Sequence, residues 1–161
     1  MIRKTSPRLP GYDYHKSGKY FVTIRAKQDN FGRIINESMI LNELGQIVKQ
    51  QWKWIETNFT YIKLDEFCVM PDHTHGIIEI LPSTQKTKSL SNIIGAFKTT
   101  SSKQIHNIGF SNFKWQRSFH DQIINNNESL RNIRNYIINN AILHTRKNLY
   151  VRNREKISSF R

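Results

Sequence analysis

Seven segments that alternate between strand and helix patterning, in the order β-α-β-β-α-β-α, predict an α+β fold. The first six match a ferredoxin-like β-α-β-β-α-β antiparallel sheet, with an appended C-terminal helix. The chain of 161 residues is most simply one domain, residues 1–161, with no internal repeat. Its single cysteine, Cys68, cannot form an internal disulfide.

The elements follow in order. Residues 1–19 hold Arg3, Lys4, Arg8, Lys16 and Lys19 with Pro7, Pro10 and Gly11, and read as an extended basic arm. "YFVTIRA" (20–26) is aromatic and β-branched, a strand. "DNFGRI" reads as a turn, with a short hairpin through residue 41. From Leu41 to Phe59, Leu41, Leu44, Val48, Ile55 and Phe59 fall at helical spacing, with Trp52 close to that face. "YIKLDEFCVM" (61–70) alternates as a strand, Pro71-Asp72 breaks it, and "HTHGIIEIL" (73–81) is the next strand. After the polar loop 82–89, the residues Leu90, Ile93, Ile94, Phe97, Ser101, Ile105 and Ile108 trace one face of a second helix. "QRSFHDQII" (116–124) predicts the fourth strand. Asn127 is the expected N-cap of a third helix, with Leu130, Ile133, Ile137, Ala141 and His144 on one stripe. The tail 146–161 is basic.

Charge narrows the function. Lys and Arg number 25 against 12 Asp and Glu, a formal +13, which favours a polyanionic partner, nucleic acid before an anionic membrane surface. No run of about 18 apolar residues predicts a membrane span. The basic N-terminus lacks the apolar core of a signal peptide, so a cytoplasmic protein is expected. No G-x-x-x-x-G-K-[ST] loop is found, so no nucleotide cofactor is expected.

Two constellations carry chemistry. His73 and His75 are two apart on a predicted strand and project the same way, as ligands of one cation would. Two ligands are too few for a closed structural zinc site, and an open site suits catalysis. Cys68 lies across the Pro71-Asp72 break and reads as a buried apolar thiol. On the third helix Tyr136 and Asn140 are one turn apart, off the apolar stripe. A phenol, with a pKa of about 10 when free, can attack phosphorus if a cation neutralises the developing charge. The Asn140 amide oxygen can complete the histidine site. The bland alternative is a histidine pair bonded within the sheet and a half-buried tyrosine.

Together these stretches resemble a known family. "VMPDHTHGI" (69–77) resembles the HUH signature (His, bulky hydrophobic, His) of single-tyrosine HUH transposases. "KWQRSFHDQII" followed by "YIINNA" resembles their downstream signature, and "RLPGYDYHKSGKYFVTI" their opening. The likeness runs from about residue 8 to 142 and is nearest to the REP-associated tyrosine transposases, a branch of the insertion-sequence enzymes. It implies metal-dependent nicking and rejoining of single-stranded, hairpin-containing DNA through a 5′-phosphotyrosine intermediate. His73, His75 and Asn140 would hold Mg²⁺ or Mn²⁺, and Tyr136 would be the nucleophile. Arg8, Tyr14, Gly18, Lys19, Tyr20, Phe21, Lys98, Lys103, Trp115 and Arg117 are the expected DNA contacts, the protein acting as monomer or homodimer. The departures are Thr74 at the middle HUH position, Asp72 where Asn is usual, Ala141 where Pro commonly follows the asparagine, and Lys19-Tyr20 where relatives carry Thr-Trp. Rival readings are a non-enzymatic nucleic-acid-binding ferredoxin-like module and a catalytically decayed transposase.

Overall fold

The computed structural model describes residues 13, 16–28, 31–84 and 86–148. Most of the 1–19 arm and of the 146–161 tail, including Arg8 and Tyr14, lies outside these described residues. Strand β1 (Gly18–Arg25) is followed by a small ribbon, β2 (Gly32–Ile35) and β3 (Ser38–Leu41). Helix α1 (Glu43–Asn58) leads to β4 (Ile62–Val69) and β5 (His73–Ile80), then α2 (Leu90–Asn107), β6 (His120–Ile124) and α3 (Asn127–Ile138). The main sheet has the order β4-β5-β1-β6 with every neighbour antiparallel. Leaving the ribbon aside, this is the expected ferredoxin-like arrangement, and residues 140–148 form the tail end of the appended helical segment.

Local chemistry sets the boundaries. The β2–β3 turn places Asn36 and Glu37 at φ 48° and 60°, the left-handed pair that a tight hairpin requires. Helix α1 starts at Glu43, two residues after Leu41, because Leu41 ends β3 and Asn42 caps the helix, its side chain accepting from Gly45 N at 3.0 Å. Ser89 caps α2 in the same way through Asn92 N.

Alternation gives the sheet two dissimilar faces. Tyr20, Val22 and Ile24 of β1 join Ile78 and Ile80 of β5 in a core with Val48, Trp52 and Ile55 of α1 and Ile93, Ile94 and Phe97 of α2. Gly76 is required there. A β-carbon on it would sit 2.3 Å from the Trp52 ring, which instead stacks on Phe67, the register partner of Gly76, at 4.5 Å and 8°. The opposite face is covered by α3 through a smaller cluster of Ile77, Ile124, Leu130 and Ile137, with Phe21, Cys68 and Ile133 against it.

Three expectations need correction. The fourth strand begins at His120 and not at residue 116, with only an isolated bridge between Ala26 and Trp115 ahead of it. The carbonyls of Gln116, Arg117 and Ser118 turn instead to Lys98 Nζ, at 2.9, 3.3 and 3.2 Å. The cap of α3 is Asn126, not Asn127, its side chain accepting from Ser129 N at 2.8 Å. Nor does one stripe run from Leu130 to His144: α3 ends at Asn139 (φ −95°, ψ 11°) before helix resumes at 140. His144 is exposed while Leu130 and Ile137 are buried, so the buried stripe stops short of it.

Candidate active site

The α3-facing side of β5 brings the two imidazoles together. His73 and His75 are both buried, with Nε2 atoms 3.1 Å apart. Each ring is held from behind. His73 Nδ1–H donates to Asp72 Oδ1 at 2.5 Å, and Arg25 Nη1 donates to Asp72 Oδ2 at 2.7 Å. Because Asp72 accepts, His73 carries its proton on Nδ1 and leaves Nε2 bare. Thr23, directly across from His75 in the β1–β5 register, bonds its Nδ1 through Oγ1 at 2.9 Å. An acceptor behind Nδ1 with the lone pair of Nε2 turned forward is the arrangement found behind metal-binding histidines.

Electrostatics keep both rings neutral. Burial pushes His75 down to about 3, helped by the neighbouring His73 and by Arg25. Burial also lowers His73, more than its hydrogen bond to Asp72 raises it, and His144 adds to the lowering. Burial alone would raise the Asp72 carboxyl, but interactions that include the His73 hydrogen bond and the positive charge of Arg25 outweigh it. Neutral imidazole is the form that ligates.

Helix α3 lays Tyr136 over this pair. Its Oη lies 3.4 Å from His75 Nε2, and the rings meet at 5.2 Å and 64°. Phe21 stacks on His75 at 5.4 Å and 24° and meets Tyr136 edge-on at 6.1 Å, fixing both from the β1 side. Tyr136 is 42% exposed, so its oxygen stays reachable from solvent. Asn140, buried at 5%, is the first residue after the break at Asn139. Among the described residues no group of three His, Cys, Asp or Glu forms, so a cation at the pair would draw further donors from an amide, water or a bound phosphate. Two imidazole nitrogens with oxygen donors and open positions fit a divalent ion that keeps exchangeable sites. Cys68, paired in register with His75, is pushed up to about 12 by burial, so its thiol stays protonated and apolar.

The family now follows from comparison. The model of the IS200-like transposases matches residues 20–140. The chain belongs to that family. A Haemophilus influenzae protein, itself uncharacterized, is 36% identical in an alignment of 168 positions that covers 92% of this chain and 93% of its own length. Among solved structures, a REP-associated tyrosine transposase bound to a REP hairpin superposes with a TM-score of 0.61 at 22% identity, covering 85% of this chain and 74% of that one. A proposed transposase from Deinococcus radiodurans gives 0.51 at 18%, covering 82% and 95%. Both likenesses are of fold, and with the family match they support a DNA-processing role for this IS200-like chain.

The other expected contacts divide sharply. Phe21 lies in the site, whereas Tyr20 is fully buried on the opposite face, its hydroxyl donating to Lys16 O, with no ring face open to a base. Lys19 pairs with Glu79 at 2.5 Å, and Gly18 opens β1. Trp115 is buried and donates to Ser101 Oγ at 3.0 Å. Lys98 is bound to three carbonyls, while Lys103 and Arg117 are exposed. Sequence reasoning missed Thr23, Phe21 in its role against His75, the bracing part of Asp72, and Arg25. Their signal was register: on β1, residues 21, 23 and 25 share a face, and they meet 77, 75 and 73.

Proposed function

We propose that this IS200-like transposase nicks and rejoins single-stranded DNA beside a hairpin, through a 5′-phosphotyrosine on Tyr136. The supporting observation is the convergence of Tyr136 Oη and the two Nε2 atoms within 3.4 Å and 3.1 Å of their neighbours, on rings braced by Asp72 and Thr23. His73, His75 and Asn140 would hold Mg²⁺ or Mn²⁺, which when bound supplies charge to the scissile phosphate as a Lewis acid. Asp72 and Thr23 keep both imidazoles aimed at one point, and Phe21 keeps the phenol above it. Tyr136 Oη forms the new bond to phosphorus as its proton leaves. The bond from phosphorus to the 3′ oxygen breaks, and that oxygen takes up a proton as a free 3′-hydroxyl. Attack by another 3′-hydroxyl on the phosphotyrosine reverses the step and joins new ends, with no nucleotide hydrolysed. Tyr136 reaches the His75 of its own chain, so the reaction can proceed in cis within a monomer. A solved relative of the same fold carries a REP hairpin, which supports a hairpin substrate.

The test is denaturant-resistant attachment of a 3′-labelled hairpin oligonucleotide in the presence of Mn²⁺. Wild-type protein forms the adduct, and Tyr136→Phe binds the same DNA but forms none. An adduct in the phenylalanine variant assigns the nucleophile elsewhere.

A further inference from the structure

Away from the histidine pair, between the C-terminal half of α2 and residues 113–117, lies an open groove of about 720 Å³. Its lining brings together Lys27, Lys98, Lys103, Lys114 and Arg117 without a single carboxylate. Among the described residues, no acidic partner pairs with Lys27, Lys103, Lys114 or Arg117. Thr99, Ser102 and Asn107 add neutral donors. Small-molecule pockets are mostly apolar with a few polar groups, whereas five cationic side chains gather in this lining.

The fifth cation has another task. Lys98 Nζ donates to the carbonyls of residues 116, 117 and 118, and burial pushes it down to about 8. It pins the loop that carries Arg117 rather than meeting a ligand. The aromatic residues of the lining are equally committed. Trp115 packs on Phe31, Phe97 and Phe113 at 5.2, 5.5 and 5.3 Å between ring centres, and neither it nor Phe113 offers a free face for stacking. What the groove presents is charge and hydrogen-bond donors, the groups that contact phosphate and not base edges.

Its position ties it to the candidate active site. Gln116 N donates to Arg25 O at 2.8 Å, and Lys27 N to Lys114 O at 3.0 Å, so the groove opens at the end of β1. The Arg25 side chain at that same end holds Asp72, which braces His73.

We propose that this groove is a phosphodiester track that holds a length of DNA backbone leading to or from the histidine pair, independently of base sequence. The proposal rests on the DNA-processing reading above and adds a second site to it. The backbone is supplied either by the single-stranded flank or by the hairpin stem, and the two are separable by experiment.

The experiment measures binding by fluorescence anisotropy across a salt series, on Tyr136→Phe protein without divalent ions. The probes are oligo-dT and a blunt hairpin lacking any flank. Each phosphate neutralised contributes about 0.7 to the log–log salt slope for single strands and about 0.9 for duplex. Replacing Lys27, Lys103, Lys114 and Arg117 together by Ala therefore lowers the slope by about 2.8 on oligo-dT if the flank is held, or by about 3.6 on the blunt hairpin if the stem is held. A control with Arg33, Lys49, Lys53 and Lys63 replaced removes equal charge from exposed positions outside the groove. Arg117→Ala alone lowers the slope by about 0.7 to 0.9 on the responding probe, should the fourfold variant not fold. Unchanged slopes on both probes, or equal loss in the control, overturn the track. Adduct formation by wild-type protein is read separately, so absence of nicking would refute the tyrosine reading and leave this one standing.

Discussion

On β5, His73 and His75 look toward α3, while Thr74 and Gly76, interleaved with them, look toward α1 and α2. The core face is dense: Trp52 fills the space Gly76 leaves, and the side chains of Tyr20, Val22, Ile24 and Ile78 are fully buried. The α3 face is sparser, with four buried apolar residues and the polar groups that brace the imidazoles. One strand thus carries stability on one side and chemistry on the other. Substitutions at neighbouring positions should therefore have effects of different kinds.

The largest effect expected is on the α3 face. On the proposed mechanism, His75→Ala removes one of the two facing nitrogens and should take nicking to the level of enzyme-free DNA, as chelation of divalent ions should for wild-type protein. The core is untouched, so DNA binding and a cooperative melt persist. Calorimetry beside a labelled-strand nicking assay checks this, and a variant that no longer folds would mean the two faces are not separable.

One residue earlier, the effect should reverse in sign and kind. Thr74 is buried at 1%, and its Oγ1 finds no hydrogen-bond partner. A buried hydroxyl left unsatisfied costs about 1 kcal/mol or more. Thr74→Val keeps the shape and deletes that group. It should raise the melting temperature by about 2–4 °C while leaving nicking rate unchanged. A fall in stability would point to a partner for Oγ1 within the core.

Much of this division was legible in the sequence. The H-x-H spacing on a strand dictates a common face, and helical spacing placed α1 and α2 within two residues of their ends. Tyr20 shares parity with Val22 and Ile24, so its burial was readable too, although a DNA contact was expected there. Other features depend on contacts that periodicity does not encode. The strand expected from 116 fails because Lys98 of α2, 18 residues away in sequence, captures the carbonyl of Gln116. The break at Asn139 has no Pro or Gly to announce it. Thr23 and Arg25 became visible as braces only once the register set them opposite His75 and His73.

The smallest effect expected is at the hinge between the faces and α3. A register shift in β4 between Leu64 and Phe67 displaces Asp65, whose carboxylate takes a forked pair of bonds from Arg134, Nε at 2.9 Å and Nη2 at 2.5 Å. Arg134 stands two residues before Tyr136, so the pair anchors the helix that carries the phenol. Partly exposed ion pairs of this kind contribute about 1 kcal/mol or less. Arg134→Ala should thus lower the melting temperature by only a few degrees and slow adduct formation without weakening DNA binding. The sign with pH is fixed by Asp65, whose carboxyl the Arg134 hydrogen bond holds below its ordinary value of 3.8. A depressed carboxyl stabilises the folded state above its unfolded pKa, and that contribution is lost as pH falls through the folded value. The melting difference between wild type and Arg134→Ala is then constant through neutral pH and closes in acid below 3.8. Exchanging the partners, Asp65→Arg with Arg134→Asp, should recover adduct rate if orientation of the tyrosine helix is what the pair provides. If Arg134→Ala alone leaves that rate unchanged, the apolar contacts of Leu130 and Ile137 suffice to seat the helix.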